Sequence, residues 1–228
     1  MFKRLIEAWR RKPILVQMCE KLVHMIGDAH WMFRSVTTLL FKGDGDDPDA
    51  VKAIYDRDVI INQTERDIRK QLVEHLSFLP GSDVPTCLIL MSVVKDAERI
   101  GDFCKNILEV VRWLKAPLDG DAFAGEFRSM IGEISAAFGP TAKCFEESDR
   151  ALGQQVLEKT RGLAKQADLL VEKLLETDIP CRRAVSYTLL ARYLKRVSAH
   201  LANIATSTVM PLHKLDFFDE KWLGKEPE

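Results

Sequence analysis

A chain of 228 residues can bury a substantial core without disulfide or metal staples, which excludes the small-scaffold classes. Its hydrophobic fraction of 46%, charged fraction of 29%, and only 12 Gly and 9 Pro exclude disordered, collagenous and turn-rich all-β chains. With 33 basic against 34 acidic residues the formal charge is −1, so no global field draws in nucleic acid and any charge-driven binding must be local.

The first such feature is residues 1–12, where Lys3, Arg4, Arg10, Arg11 and Lys12 face Glu7 alone, a net charge of +4. Phe2, Leu5, Ile6 and Trp9 recur at i, i+3, i+4, i+7, which makes a basic amphipathic segment suited to an anionic membrane surface or a docking partner. The competing expectation is that these four residues cap a bundle. No run nears the roughly 18 apolar residues of a membrane span, and no signal-peptide pattern opens the chain, so a cytoplasmic protein, peripheral at the inner membrane face, is expected.

From residue 14 to 210 apolar residues recur at three- and four-residue steps and strand-like alternation is missing, so the fold class is all-α. One helix is predicted over about Pro13 to Phe41, a second over Pro48 to Phe78, and a third from Pro85 to about Lys115. Each is close to 30 residues, or about 45 Å long. The second half repeats the plan, with helices predicted over about Asp121 to Arg150, on to about Thr177, and Pro180 to Met210. Leu72-Val-Glu-His-Leu76 returns as Leu170-Val-Glu-Lys-Leu174 after 98 residues, and Asn106-Ile107 as Asn203-Ile204 after 97. Two tandem three-helix bundles follow: 13–118 and 119–210, preceded by segment 1–12 and trailed by a tail, 211–228. In that tail Phe217, Phe218 and Trp222 are expected to pack back on a bundle.

The candidate chemistry lies on the second and third helices. Glu98, Asp102 and Asn106 stand at i, i+4, i+8 on one face, and Asp58, Asn62 and Glu65 at i, i+4, i+7 on another, both read as lying off the apolar stripes. Two like charges at i, i+4 oppose a helix by roughly 0.2–0.5 kcal/mol, which a cation, an arginine or plain solvent must balance. Were the faces adjacent, their oxygens would suit a hard or borderline ion, iron or manganese before zinc. The other possibility is a solvated polar face.

Asp58-x-x-x-Asn62-x-x-Glu65 followed by Glu98-Arg-Ile-Gly-Asp102-x-x-x-Asn106-Ile107, on successive helices of a duplicated three-helix bundle, resembles the PhoU family of phosphate-uptake regulators. The resemblance covers about residues 14–210 and implies a non-enzymatic regulator of phosphate uptake or signalling. The implied partner is a membrane phosphate transporter, among them a phosphate-specific ABC transporter or a sodium–phosphate cotransporter, or a sensor histidine kinase; a homodimer is also open. In the family such motifs hold multinuclear metal clusters, commonly of iron. Residue by residue this carries over to Asp58, Asn62, Glu98 and Asp102, with Glu65 and Asn106 as outer candidates.

The second repeat departs from the motif: Val156 and Thr160 stand opposite Asp58 and Asn62, and Lys195 and Ala199 opposite Glu98 and Asp102, so one metal site at most is expected. Glu20, His24 and Asp28, with His30 nearby, form a further polar row, and Arg192, Lys195, Arg196 and His200 a basic stripe. Both are read as exposed faces, the first able to ligate a metal and the second to meet an acidic partner. Cys19, Cys87, Cys104 and Cys144 fall in apolar patterns without a paired histidine and read as core; Cys181 completes an odd set with no CxxC. A different class, a di-iron metalloenzyme or metal store, would need Glu-x-x-His pairs on two helices, and the sequence has none.

Overall fold

The computed structural model describes residues 13–78 and 83–216. Segment 1–12 and the aromatic residues of the tail from Phe217 onward, with the expectations placed on them, lie outside the described residues. Among the described residues six α-helices follow in order: α1 (Pro13–Lys42), α2 (Pro48–Phe78), α3 (Val84–Leu114), α4 (Ala124–Glu147), α5 (Arg150–Leu175) and α6 (Cys181–Val209), then a 3₁₀ turn at Leu212–Lys214. No strand occurs among the described residues.

The helix ends have local causes. Lys42 is followed by Gly43 at φ +72°, whose N–H closes on the Leu39 carbonyl at 2.8 Å, a left-handed stop that favours glycine. The same glycine lets the linker between the repeats cross, since a Cβ there would lie 2.4 Å from the Pro117 nitrogen. At the next residue, the Leu118 N–H donates to the Leu40 carbonyl at 3.1 Å and pins that linker to the end of α1. The Asp47 carboxylate caps α2 by accepting from the N–H groups of Asp49 and Ala50 at 3.0 and 3.2 Å, and Asp149 does the same for α5 through Ala151 and Leu152 at 2.9 and 3.0 Å. At the far end of the first repeat, buried His75 Nε2 and Asp83 Oδ2 lie 2.9 Å apart and join the end of α2 to the start of α3.

The helices group as α1–α3 and α4–α6, yet their apolar faces merge into one core drawn from all six helices. Across the seam α1 packs on α4 and α3 on α6, so each repeat meets its equivalent element. The α3–α6 crossing shows the internal symmetry. Phe103 stacks on His200 with ring centroids 5.6 Å apart, and these residues are equivalent under the 97-residue offset. To one side Phe103 meets Tyr193 at 6.0 Å; to the other Asp96, the counterpart of Tyr193, meets His200 at 2.7 Å. The exchanged pairs are what an approximate two-fold axis through Phe103 and His200 requires.

Candidate functional site

The site builds from α2 and α3, which run antiparallel so that Asp58 and Asn62 face Asp102 and Lys105. Asp58 sits one helical step from Ile54 and Ile61, within the buried row of α2, and is 6% exposed. This corrects the reading that its whole row lies off the apolar stripe: a three- and four-residue spacing admits Asp58 to the core face while Asn62 and Glu65 stay at its edge. Glu98, Asp102 and Asn106 are likewise half-buried along the rim of α3.

Between the rows stands a residue that the sequence reading passed over. Lys105 Nζ donates to Asp58 Oδ2 at 2.8 Å and lies 2.9 Å from Asp102 Oδ1, bridging the two helices. The Asn62 amide donates to the same Asp58 oxygen at 3.1 Å. Asp58 Oδ1 has no hydrogen-bond partner among the described residues. It lies over Gly101, where a Cβ would stand 3.4 Å from it, and the next atoms around that position are Ile61 Cδ1 at 3.6 Å and the Met32 sulfur at 3.7 Å. Glu65 pairs with Arg69 at 2.9 Å, and Arg99 reaches Asp102 at 3.2 Å and Glu98 at 3.7 Å. Three cations thus attend four carboxylates.

The protonation pattern follows from this crowding. Burial, then the charges of Asp102 and Glu65, push the Glu98 carboxyl up to about 7, and Arg99 only partly opposes them. Burial pulls the Lys105 ammonium down, but its hydrogen bonds to Asp58 and Asp102 outweigh that and hold it above the ordinary lysine value. Lys105 is therefore a cation at any physiological pH. Beside it opens a surface depression of about 460 Å³ lined by Tyr55, Arg99, Asp102, Phe103, Lys105 and Asn106.

These residues do not fit a metal cluster as they are arranged. Asp58 Oδ2 already accepts two donors, and Oδ1 is buried against Gly101 of α3 with no donor beside it among the described residues, so neither oxygen is presented to a shared ion. Among the described residues no group of three or more His, Cys, Asp or Glu side chains is placed to hold a metal. Lys105 has a signal in the sequence, since it stands at i+3 from Asp102 on the face read as ligands, where a lysine can neutralise the acids as well as a metal can.

The remaining sequence candidates disperse. Asp28 binds Arg57 at 2.6 Å, His30 turns inward to Ser135 at 2.8 Å and stacks on Phe138, and Glu20 and His24 stay exposed, so that row does not converge. The basic stripe also divides. Lys195 binds both oxygens of Asp168 at 2.8 and 2.6 Å and Arg192 reaches it at 3.3 Å, while His200 leaves the surface for Asp96. Val156 and Thr160 are buried, the Thr160 hydroxyl donating to the Val156 carbonyl. The thiols behave as core: burial pushes Cys19 up to about 12 and Cys144 to about 11, and Cys104 rises for the same reason. One polar cluster had no local signal, because its members lie more than 100 residues apart. Asp96, fully buried, accepts from His200 Nδ1 at 2.7 Å and from the Asn203 amide at 2.9 Å at the seam between the repeats.

Comparison with known proteins agrees with this duplicated plan. Residues 17–111 and 127–208 each match the profile of the PhoU domain. The fold is similar to the crystal structure of the phosphate transport system regulatory protein PhoU from Streptococcus pneumoniae. That match has a TM-score of 0.75 at 17% identity and covers 88% of this chain and 94% of that one. It is also similar to PhoU from Pseudomonas aeruginosa, with a TM-score of 0.73 at 20% identity, covering 91% of this chain and 97% of that one. No curated protein matches the sequence.

Proposed function

The chain belongs to the PhoU family, and from that premise we propose that it is a non-enzymatic regulator of phosphate transport, restraining uptake or its signalling by binding a membrane phosphate transporter or the associated sensor kinase. The observation that carries this reading is the match of both repeats to the PhoU domain, so the whole six-helix body, rather than a grafted piece, is of that family. A regulator that binds rather than transforms suits a chain whose Cys19, Cys104 and Cys144 thiols are raised by burial and whose acidic row is paired with its own cations.

Among the described residues no helix is long and apolar enough to cross a membrane, so contact with a membrane partner is peripheral in this reading. Segment 1–12 supplies the approach, its net charge of +4 lying beside Phe2, Leu5, Ile6 and Trp9. Each basic residue near an anionic surface contributes about 1 kcal/mol, so the segment gives on the order of 4 kcal/mol, weak and salt-sensitive as reversible regulation requires. The test is phosphate uptake by cells of the source organism lacking the chain, with complementation by the intact form and by Lys3→Gln, Arg4→Gln, Arg10→Gln, Arg11→Gln. Loss of the chain is expected to release uptake from control, the neutralised form restoring control only in part. Uptake indifferent to the chain at both low and high phosphate would refute the reading.

A further inference from the structure

We propose that Lys105 is the resident cation of the first repeat: its ammonium joins α2 to α3 where the family resemblance implies a metal cluster, and the acidic row binds no divalent ion while that ammonium is in place. Three observations lead there. Lys105 Nζ is within 2.8 Å of Asp58 and 2.9 Å of Asp102, one carboxylate from each of the two helices. The Asn62 amide presents its donor nitrogen to Asp58 Oδ2, so its oxygen is turned away from the place a metal would need it. The outlying acids are served as well, Glu65 by Arg69 and both Glu98 and Asp102 by Arg99.

A divalent ion entering the row would therefore have to displace the ammonium and still hold its place within a few ångströms of it. The displaced lysine has only a short way to go, its side chain being 24% exposed beside an open depression, so the exclusion is electrostatic rather than steric. The second repeat uses the same device at another level. Lys195 of α6 clasps Asp168 of α5 through both oxygens, so in each repeat a lysine on the third helix is tied to an aspartate on the second. The inference does not depend on phosphate regulation; it concerns what balances the charge of the row, whatever partner the surface meets.

The experiment uses the full chain, freed of metal by chelation and titrated with Mn²⁺, and with Fe²⁺ under anaerobic conditions, the free ion being followed by electron paramagnetic resonance or calorimetry. The intact chain is expected to take up no ion that depends on Asp58. Lys105→Met, which keeps the volume and removes the charge, should bind at least about tenfold more tightly. Adding Asp58→Asn to that variant should abolish the gain. An equivalent of ion held by the intact chain and lost in Asp58→Asn would overturn the proposal, as would a Lys105→Met protein with no gain. Should Lys105→Met fail to fold, the intact chain still decides: its thermal midpoint is expected to be the same in chelator and in Mn²⁺. A rise with Mn²⁺ that Asp58→Asn removes would show that the ammonium gives way.

Discussion

Glu98 keeps a proton that an exposed glutamate loses, because burial and the charges of Asp102 and Glu65 raise it from 4.5 to about 7. Below about pH 4 the carboxyl is protonated in both the folded and the unfolded chain and costs nothing; as pH rises toward 7 the unfolded chain releases the proton first, and the folded state loses stability until both forms are ionised. Glu98→Gln should therefore flatten the fall of the thermal midpoint between about pH 5 and pH 8 and be the more stable protein at the upper end, with Arg99, Asp102 and Glu65 unchanged. An unaltered slope in a pH series of melting curves would count against the assigned proton. At this scale the sequence showed the acids and hid their partners. Spacing left open whether the rows of Asp58 and Asn62 and of Glu98 and Asp102 meet; along the α2–α3 seam Lys105 ties Asp58 to Asp102, and whether a lysine turns inward depends on how the neighbouring helix is rotated. Nor could spacing reveal that Asp58 shares the buried row of Ile54 and Ile61, since a half-buried seam and an exposed face have the same period.

The helices were legible wherever a breaker stands between them. Gly43 to Pro48, Pro85 and Pro117 each mark a boundary that the structure keeps within a residue or two. The corner between α4 and α5 has no such mark: Ser148 adopts φ 58° and Asp149 caps the next helix, a two-residue turn made from ordinary polar residues. Meanwhile Pro140 sits inside α4 without ending it. Gly153 of α5 passes close to α6, a Cβ there falling 2.3 Å from the Thr208 hydroxyl and 2.9 Å from a Val209 methyl. Gly153→Ala should cost about 1–3 kcal/mol by overpacking. Gly162→Ala, on the open side of the same helix with nothing within 4 Å of the new methyl, should instead stabilise by up to about 1 kcal/mol through helix propensity. Urea unfolding of the two variants checks both signs, and equal effects would show that the close approach is not what holds α5 against α6.

Two repeats do not make two independently stable units here, because the buried faces of all six helices run together and α1–α4 and α3–α6 contacts cross the seam. A single cooperative thermal transition is expected, with equal calorimetric and van't Hoff enthalpies. His200→Leu should lower the whole transition rather than split it. It leaves the buried Asp96 with the Asn203 amide as its remaining partner, and a buried acceptor stripped of a donor costs about 1–3 kcal/mol, more when charged. Two resolved transitions in a calorimetric scan would show that the repeats unfold separately. The duplication was legible from two short matched strings, but the seam was not, since pairs such as Asp96 and His200 meet across 104 residues of chain.

The pseudo-two-fold at Phe103 and His200 has diverged in a way that makes the halves unlike. On one side of the axis an aromatic meets an aromatic, and on the other a carboxylate meets an imidazole. Two first repeats brought together would set Asp96 against Phe103, and two second repeats would set Tyr193 against His200, so neither like pairing meets the buried carboxylate's need. Only the unlike pairing does, and it would be satisfied equally well by the second repeat of another copy. What keeps the partner within the same chain is the short linker laid over Gly43 and tied by Leu118 to Leu40. The preference for unlike over like repeats thus sits in the seam, and the choice between one molecule and an exchanged pair sits in a single crossing of the backbone.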